Sequence, residues 1–168
     1  MNKKNGKSVI AKSTKEKTID PSEAQINFLI NTYKSGQTSK TEKECRELLK
    51  KFQHSLIVIN VLGATLQSQG KLKEAVSIYE KAIQLNPESA DAYNNRGIAL
   101  VELGQPNEAI ASYKQAIQIR PNYAEAFYNL GNAFQELGQP NDAIKYYEKA
   151  IQLKPDSAEA HNNRGIAL

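Results

Sequence analysis

The feature that most constrains this chain is an internal repeat of fixed period. LGATLQSQGKLKEAVSIYEKAIQLNP begins at Leu62, RGIALVELGQPNEAIASYKQAIQIRP at Arg96 and LGNAFQELGQPNDAIKYYEKAIQLKP at Leu130. Each copy follows the last by 34 residues without insertion or deletion, and a further copy opens at Arg164-Gly165-Ile166-Ala167-Leu168. A chain with a period of roughly 20–50 residues does not build one central core. It stacks units, and each unit buries its apolar face on its neighbours.

Each row of the repeat has a physical role. Gly36, Gly70, Gly104 and Gly138 stand where a left-handed residue ends a helix. Pro87, Pro121 and Pro155 stop a second helix, because proline has no N–H to continue the ladder. Between these stops, apolar residues recur at helical spacing: Ala75, Tyr79, Ala82 and Ile83, then Ala109, Tyr113, Ala116 and Ile117, then Ala143, Tyr147, Ala150 and Ile151. Each unit is therefore two helices of about 12–14 residues, too short to be stable alone. Gly63, Gly97 and Gly131 on the first helices are expected to pack on Ala75, Ala109 and Ala143 of the second, bringing the backbones close. Leu66, Leu100 and Phe134 fill the space between.

The rows Phe127, Leu130, Gly131, Phe134, Ala143, Tyr147, Ala150 and Pro155 resemble the tetratricopeptide repeat (TPR) pattern. The resemblance covers about residues 22–168. It implies an all-α fold, a right-handed superhelical solenoid of antiparallel helix pairs. The organisation expected is a disordered basic leader over 1–21, a divergent capping repeat over 22–55, and repeats over 56–89, 90–123 and 124–157. A first helix alone follows over 158–168. The capping unit keeps Gly36 but has Thr41, Cys45, Leu48 and Gln53 where Ala, Tyr, Ala and Pro stand later.

Charge separates the leader from the rest. Lys3, Lys4, Lys7, Lys12, Lys15 and Lys17 lie in the first 20 residues against Glu16 and Asp20. The remainder holds 16 basic and 16 acidic side chains, so its charge does not point to nucleic acid. The apolar stretch Ser8-Val9-Ile10-Ala11 is too short for a secretory signal, and no stretch is long enough to span a bilayer. A cytoplasmic protein with no membrane contact is expected. With Cys45 the single cysteine, neither an internal disulfide nor a cysteine-built zinc cage can form.

In the TPR family the first helices line a concave face where ligands lie. Two neighbouring rows on that face read Asn60, Asn94, Tyr128, Asn162 and Val61, Asn95, Asn129, Asn163, with Asn132 one turn on. An amide offers one donor group and one acceptor, so a column of them suits a peptide main chain of any sequence. The rows resemble the asparagine ladder in the TPR arm of O-linked N-acetylglucosamine transferases, which holds an extended polypeptide. The alternative is that the amides solvate an exposed face. Chaperone-binding TPR domains clamp a terminal carboxylate with Lys and Arg. Here the face carries Asp91, Glu125 and Glu159, then Glu102 and Glu136, which repel one. Arg96 and Arg164 are expected to pack their stems and send their heads to water.

No catalytic constellation emerges. Cys45 falls in the core row of Tyr79, Tyr113 and Tyr147. His161 falls in the row of Ile59, Tyr93 and Phe127, and His54 in a connection, neither one helical turn from another ligand. Gly63 to Gly70-Lys71 lacks the phosphate-loop spacing, and Leu72 stands in place of the Ser or Thr. No cofactor or metal is expected. The expected role is a protein-interaction module that holds an extended polypeptide, without enzyme activity of its own. The rival is a recognition arm fused to a glycosyltransferase, sulfotransferase or methyltransferase domain beyond Leu168. The helix ending at Leu168 would expose an apolar face, through which self-association is possible.

Overall fold

The computed structural model describes residues 20–168. Most of the basic leader expected over 1–21 therefore lies outside the described residues. Of its last two residues, Pro21 is buried, and Asp20, exposed, accepts a hydrogen bond from Ser55 Oγ. Among the described residues there are nine α-helices and no strand. They are α1 (Glu23–Lys34), α2 (Thr38–Lys51), α3 (Leu56–Ser68), α4 (Leu72–Leu85), α5 (Ala90–Glu102), α6 (Pro106–Ile119), α7 (Ala124–Glu136), α8 (Pro140–Leu153) and α9 (Ala158–Ala167).

Local chemistry sets the helix ends. Ser22, Ser55, Ser89 and Ser157 cap α1, α3, α5 and α9, each hydroxyl accepting from a first-turn N–H. Pro106 and Pro140 open α6 and α8, where a missing N–H costs nothing. Gly36, Gly70, Gly104 and Gly138 have φ of 73°, 72°, 77° and 68°, as a left-handed helix stop requires. The chain then turns back, and Lys71, Gln105 and Gln139 donate their N–H to the carbonyls of Leu66, Leu100 and Phe134 at 2.9, 2.8 and 2.9 Å.

Successive helices pack as neighbours, and the arrangement curves. The first helices touch one another along the stack, α1 with α3, α3 with α5, α5 with α7, and α7 with α9. Among the described residues, α2, α4, α6 and α8 make no such contact with each other. The stack is therefore narrower along the odd-numbered helices, which line its concave side. The result is a helical solenoid.

The core adds a contact to the packing expected from the sequence. Gly63, Gly97 and Gly131 each seat a tyrosine ring from the second helix. A Cβ on Gly63 would lie 2.5 Å from Cε1 of Tyr79, and one on Gly131 would lie 2.6 Å from the same atom of Tyr147; at Gly97 the obstacle is Tyr113. The rings of Tyr79, Tyr113 and Tyr147 are buried. Ala109, also fully buried, packs in the cluster of Leu100, Tyr113, Leu130 and Ala133, which joins one unit to the next. The physical reason is size. A tyrosine ring needs room, and the glycine, with no Cβ, leaves it.

Candidate concave groove

The concave side is built from α3, α5, α7 and α9, and the 34-residue period sets their asparagines in register. Adjacent units bond amide to amide. Asn94, which is fully buried, donates from Nδ2 to Glu125 Oε1 at 3.2 Å and accepts at Oδ1 from Asn129 Nδ2 at 3.0 Å. One unit on, Asn163 Nδ2 donates to Asn132 Oδ1 at 3.0 Å and to the Tyr128 hydroxyl at 3.1 Å. Tyr147, whose ring is seated on Gly131, brings its hydroxyl within 2.8 Å of Asn132 Oδ1 and 2.6 Å of Gln135 Oε1. The core tyrosine thus reaches through the helix pair to position a groove amide.

These bonds leave specific atoms free. Among the described residues nothing pairs with Asn129 Oδ1 or Asn132 Nδ2, an acceptor and a donor. Both residues line a depression of about 470 Å³ together with Asn163, Gln135, Ile98, Val101, Glu102, Glu136 and Tyr113. A second hollow of about 350 Å³ is lined by Glu125, Tyr128, Asn129, Lys154 and Glu159, among others. A peptide unit needs one acceptor for its N–H and one donor for its C=O, and the larger depression is lined by the two residues that carry them, together with Ile98 and Val101.

The other asparagines picked out in the sequence fall elsewhere. Asn94 sits behind the surface and steadies Asn129. Asn95 is half-buried and makes no side-chain hydrogen bond among the described residues. Asn162 is exposed and donates only to Asn163, at 3.5 Å. Asn60 lies outside both hollows, with a buried Oδ1 that lacks a partner. Sequence reasoning missed Gln135 and Tyr113. Gln135 falls three residues beyond Asn132, one helical turn along the same face, and that spacing could have found it.

Charges near the groove are arranged differently from expectation. The Arg96 head does not go to water. Its Nη1 donates to the buried Ser112 hydroxyl at 2.8 Å, and its Nε and Nη2 donate to Glu80 Oε1, so it is held against α4 and α6. The cause is the 34-residue register, which puts a carboxylate and a hydroxyl on the flanking second helices within its reach. Arg164, one repeat length along from the next row, has a buried Nε without a partner. Asp91 is bracketed by Arg120, with a pair of bonds of 2.9 and 2.8 Å, and by the Tyr123 hydroxyl at 2.8 Å. The Arg120 guanidinium holds the Asp91 carboxyl below its ordinary range.

Cys45, His54 and His161 line neither hollow. Cys45 is fully buried, and burial pushes its thiol up to about 12, so no thiolate nucleophile is present at neutral pH. His54 and His161 are both exposed; the ring of His161 lies 3.0 Å from the Pro155 carbonyl oxygen. Among the described residues no three His, Cys, Asp or Glu side chains gather as a metal site, and no helix is long and apolar enough to cross a membrane.

Comparison with known proteins agrees with this architecture. No curated protein sequence matches the chain. Among solved structures, MamA is similar over 86% of this chain and 79% of its own, with 26% identity and a TM-score of 0.75. PilF of Pseudomonas aeruginosa is 24% identical over 87% of this chain and 67% of its own, with a TM-score of 0.80, which shows the fold alone. The first TPR of Spaghetti (RPAP3), solved bound to the HSP90 peptide SRMEEVD, is 27% identical over 67% of this chain and 89% of its own, with a TM-score of 0.65. A TPR repeat model matches residues 63–104 and 99–138, and a tetratricopeptide repeat model matches 124–157. Those matches run over the same α3–α8 pairs whose glycines seat the tyrosine rings and cover more than half of the sequence, and the chain belongs to the tetratricopeptide repeat family.

Proposed function

We propose that this chain is a protein-interaction module whose concave groove holds the main chain of an extended polypeptide. The observation that carries this reading is the free acceptor–donor pair, Asn129 Oδ1 and Asn132 Nδ2, fixed beside Ile98 and Val101 in one depression. The amides are held by Asn94, Asn163 and Tyr147, so little side-chain freedom is lost when a ligand binds. The Spaghetti TPR, 27% identical, is a repeat of the same kind that holds a peptide. Of the asparagines on the concave side, Asn129, Asn132 and Asn163 face the ligand, and Asn94 and Tyr128 support them. Asn60, Asn95 and Asn162 extend the same face beyond the depression. The unit over residues 22–55 acts as the cap of the stack.

The test is a pair of variants on a peptide selected from a randomised library with the full chain. Asn129→Ala with Asn132→Ala should weaken binding by about 1–3 kcal/mol, the worth of two net hydrogen bonds, without altering the helical circular dichroism. Asn162→Ala, at an exposed position outside the depression, should leave affinity unchanged. Equal affinity of the parent and the Asn129/Asn132 variant would refute the assignment of the groove.

A further inference from the structure

The folded part is neutral as a sum but not in space. α3 carries no charged side chain, while α5 and α7 together carry Asp91, Glu102, Glu125 and Glu136 against Arg96 alone. Five lysines of these units sit on the second helices, Lys73, Lys81, Lys114, Lys145 and Lys149; Lys71 precedes α4, and Lys154, after α8, lines the smaller hollow. Arg96 is turned toward Glu80 and Ser112, Asp91 is closed off by Arg120, and Glu125 is engaged with Asn94. Glu102 and Glu136 remain. Both are exposed and both line the larger depression, which no Lys or Arg lines. Glu102 accepts only from the neutral Gln67 amide, at 2.6 Å, and Glu136 has no side-chain partner among the described residues.

Their placement concentrates the negative field. Each is the last residue of its helix, α5 or α7, where the macrodipole already presents its negative end. A carboxylate there works against its own helix, so local stability does not account for either one. The Tyr113 hydroxyl in the same depression responds to this field. Besides burial, the charges that push its pKa up are those of Glu136, Glu102 and Glu125. A partly enclosed wall with one sign of charge focuses that field on whatever enters. Ile98 and Val101, both half-buried, lie alongside as an apolar strip.

We infer that the groove selects, in another polypeptide, an extended segment carrying a lysine or arginine beside an aliphatic side chain. The ammonium or guanidinium sits between Glu102 and Glu136, the aliphatic group lies on Ile98 and Val101, and the main chain takes Asn129 and Asn132. This rests on the groove reading above and adds the charge of its ligand.

The experiment is selection of a randomised peptide library on the full chain. One selected peptide is then titrated by fluorescence anisotropy together with two counterparts in which its basic residue is Gln or Glu. Enrichment of Lys or Arg is expected. The basic peptide should bind roughly fivefold tighter than the Gln form, the Glu form should bind weakest, and the difference should shrink as salt rises. In Glu102→Gln with Glu136→Gln the three peptides should bind alike, at the affinity of the Gln form. In Asn129→Ala with Asn132→Ala all three should weaken together and keep their order. An acidic or neutral consensus, or an order that survives loss of both carboxylates, overturns the charge preference and leaves the groove standing. Failure of the asparagine variant to weaken any peptide overturns the groove reading itself, and this inference with it.

Discussion

Replacing Gly97 with alanine tests the packing rule of the whole stack. Gly97 lies inside α5, and an added Cβ would stand 2.8 Å from both Cδ1 and Cζ of Tyr113. Carbon atoms at rest sit about 3.5–4.0 Å apart, so the ring must retreat by roughly 1 Å. Tyr113 cannot do so freely: it is buried in the cluster with Leu100, Ala109 and Leu130, and its ring is the rigid body of the side chain. Overpacking of this kind costs about 1–3 kcal/mol, against which alanine returns about 1 kcal/mol of helix propensity. The net expectation is a loss of up to about 2 kcal/mol, or a fall of up to about 8 °C in melting temperature for a chain of this length. Gly165, in the same row on α9, provides the control, because an added Cβ meets nothing within 4 Å. Gly165→Ala should therefore leave the melt unchanged or raise it. Shortening the obstacle should rescue the first variant, so the Gly97→Ala, Tyr113→Leu double variant should lose less than the sum of its singles. Thermal melts followed by circular dichroism decide the matter. If Gly97→Ala melts with the parent, or if the two changes add independently, the glycine is not there for the tyrosine.

Three further outcomes follow from the same structure. Amide exchange should be faster over residues 22–55 than over 90–153, because α1 buries only Leu29 and Thr32 and leaves Phe28 and Tyr33 exposed; equal protection in mass-resolved exchange would contradict this. The Cys45 thiol, raised to about 12 by burial, should react with a thiol reagent only as fast as the α1–α3 end opens, so labelling in native buffer at the rate of a free thiol would place it wrongly. Asp91 has its folded pKa depressed by Arg120, so its small contribution is complete above the ordinary aspartate value of 3.8 and drains as pH falls through the lower folded one. Melts of the parent and Asp91→Asn should accordingly differ at neutral pH and converge in acid, and a gap that widens in acid would reverse the sign.

The period made the helices legible in the sequence, because glycine, proline and the apolar rows each recur for one local reason. Those reasons are visible one residue at a time: a left-handed φ at Gly70, Gly104 and Gly138, and no N–H at Pro87, Pro121 and Pro155. The partner of Gly97 was not legible in this way. Gly97 and Ala109 are both small, and their size alone does not show that the Tyr113 ring reaches the glycine. Which second-helix side chain crosses to the glycine depends on how two helices are rotated against each other. That rotation is set by everything else in the interface, here by the need to bury a tyrosine ring.

The groove was half legible for a related reason. Spacing put the asparagines on one face, but it could not divide them into those that bind each other and those left free. That division depends on side-chain reach between units, and it turned Asn94 from a candidate ligand contact into a buried support for Asn129. Net charge hid more still. A balance of 16 against 16 describes the folded part equally well with its charges mixed or sorted. The sorting appears only once Arg96 is found facing Glu80 and Ser112, and Arg120 facing Asp91, because the first pairing takes a base, and the second an acid, out of the free charge of the concave side. Glu102 and Glu136 are the carboxylates of the larger depression that those pairings leave, at two helix ends that would be better off without them. Two carboxylates without a cationic partner at such positions are the observation from which the proposed preference for a basic segment is argued.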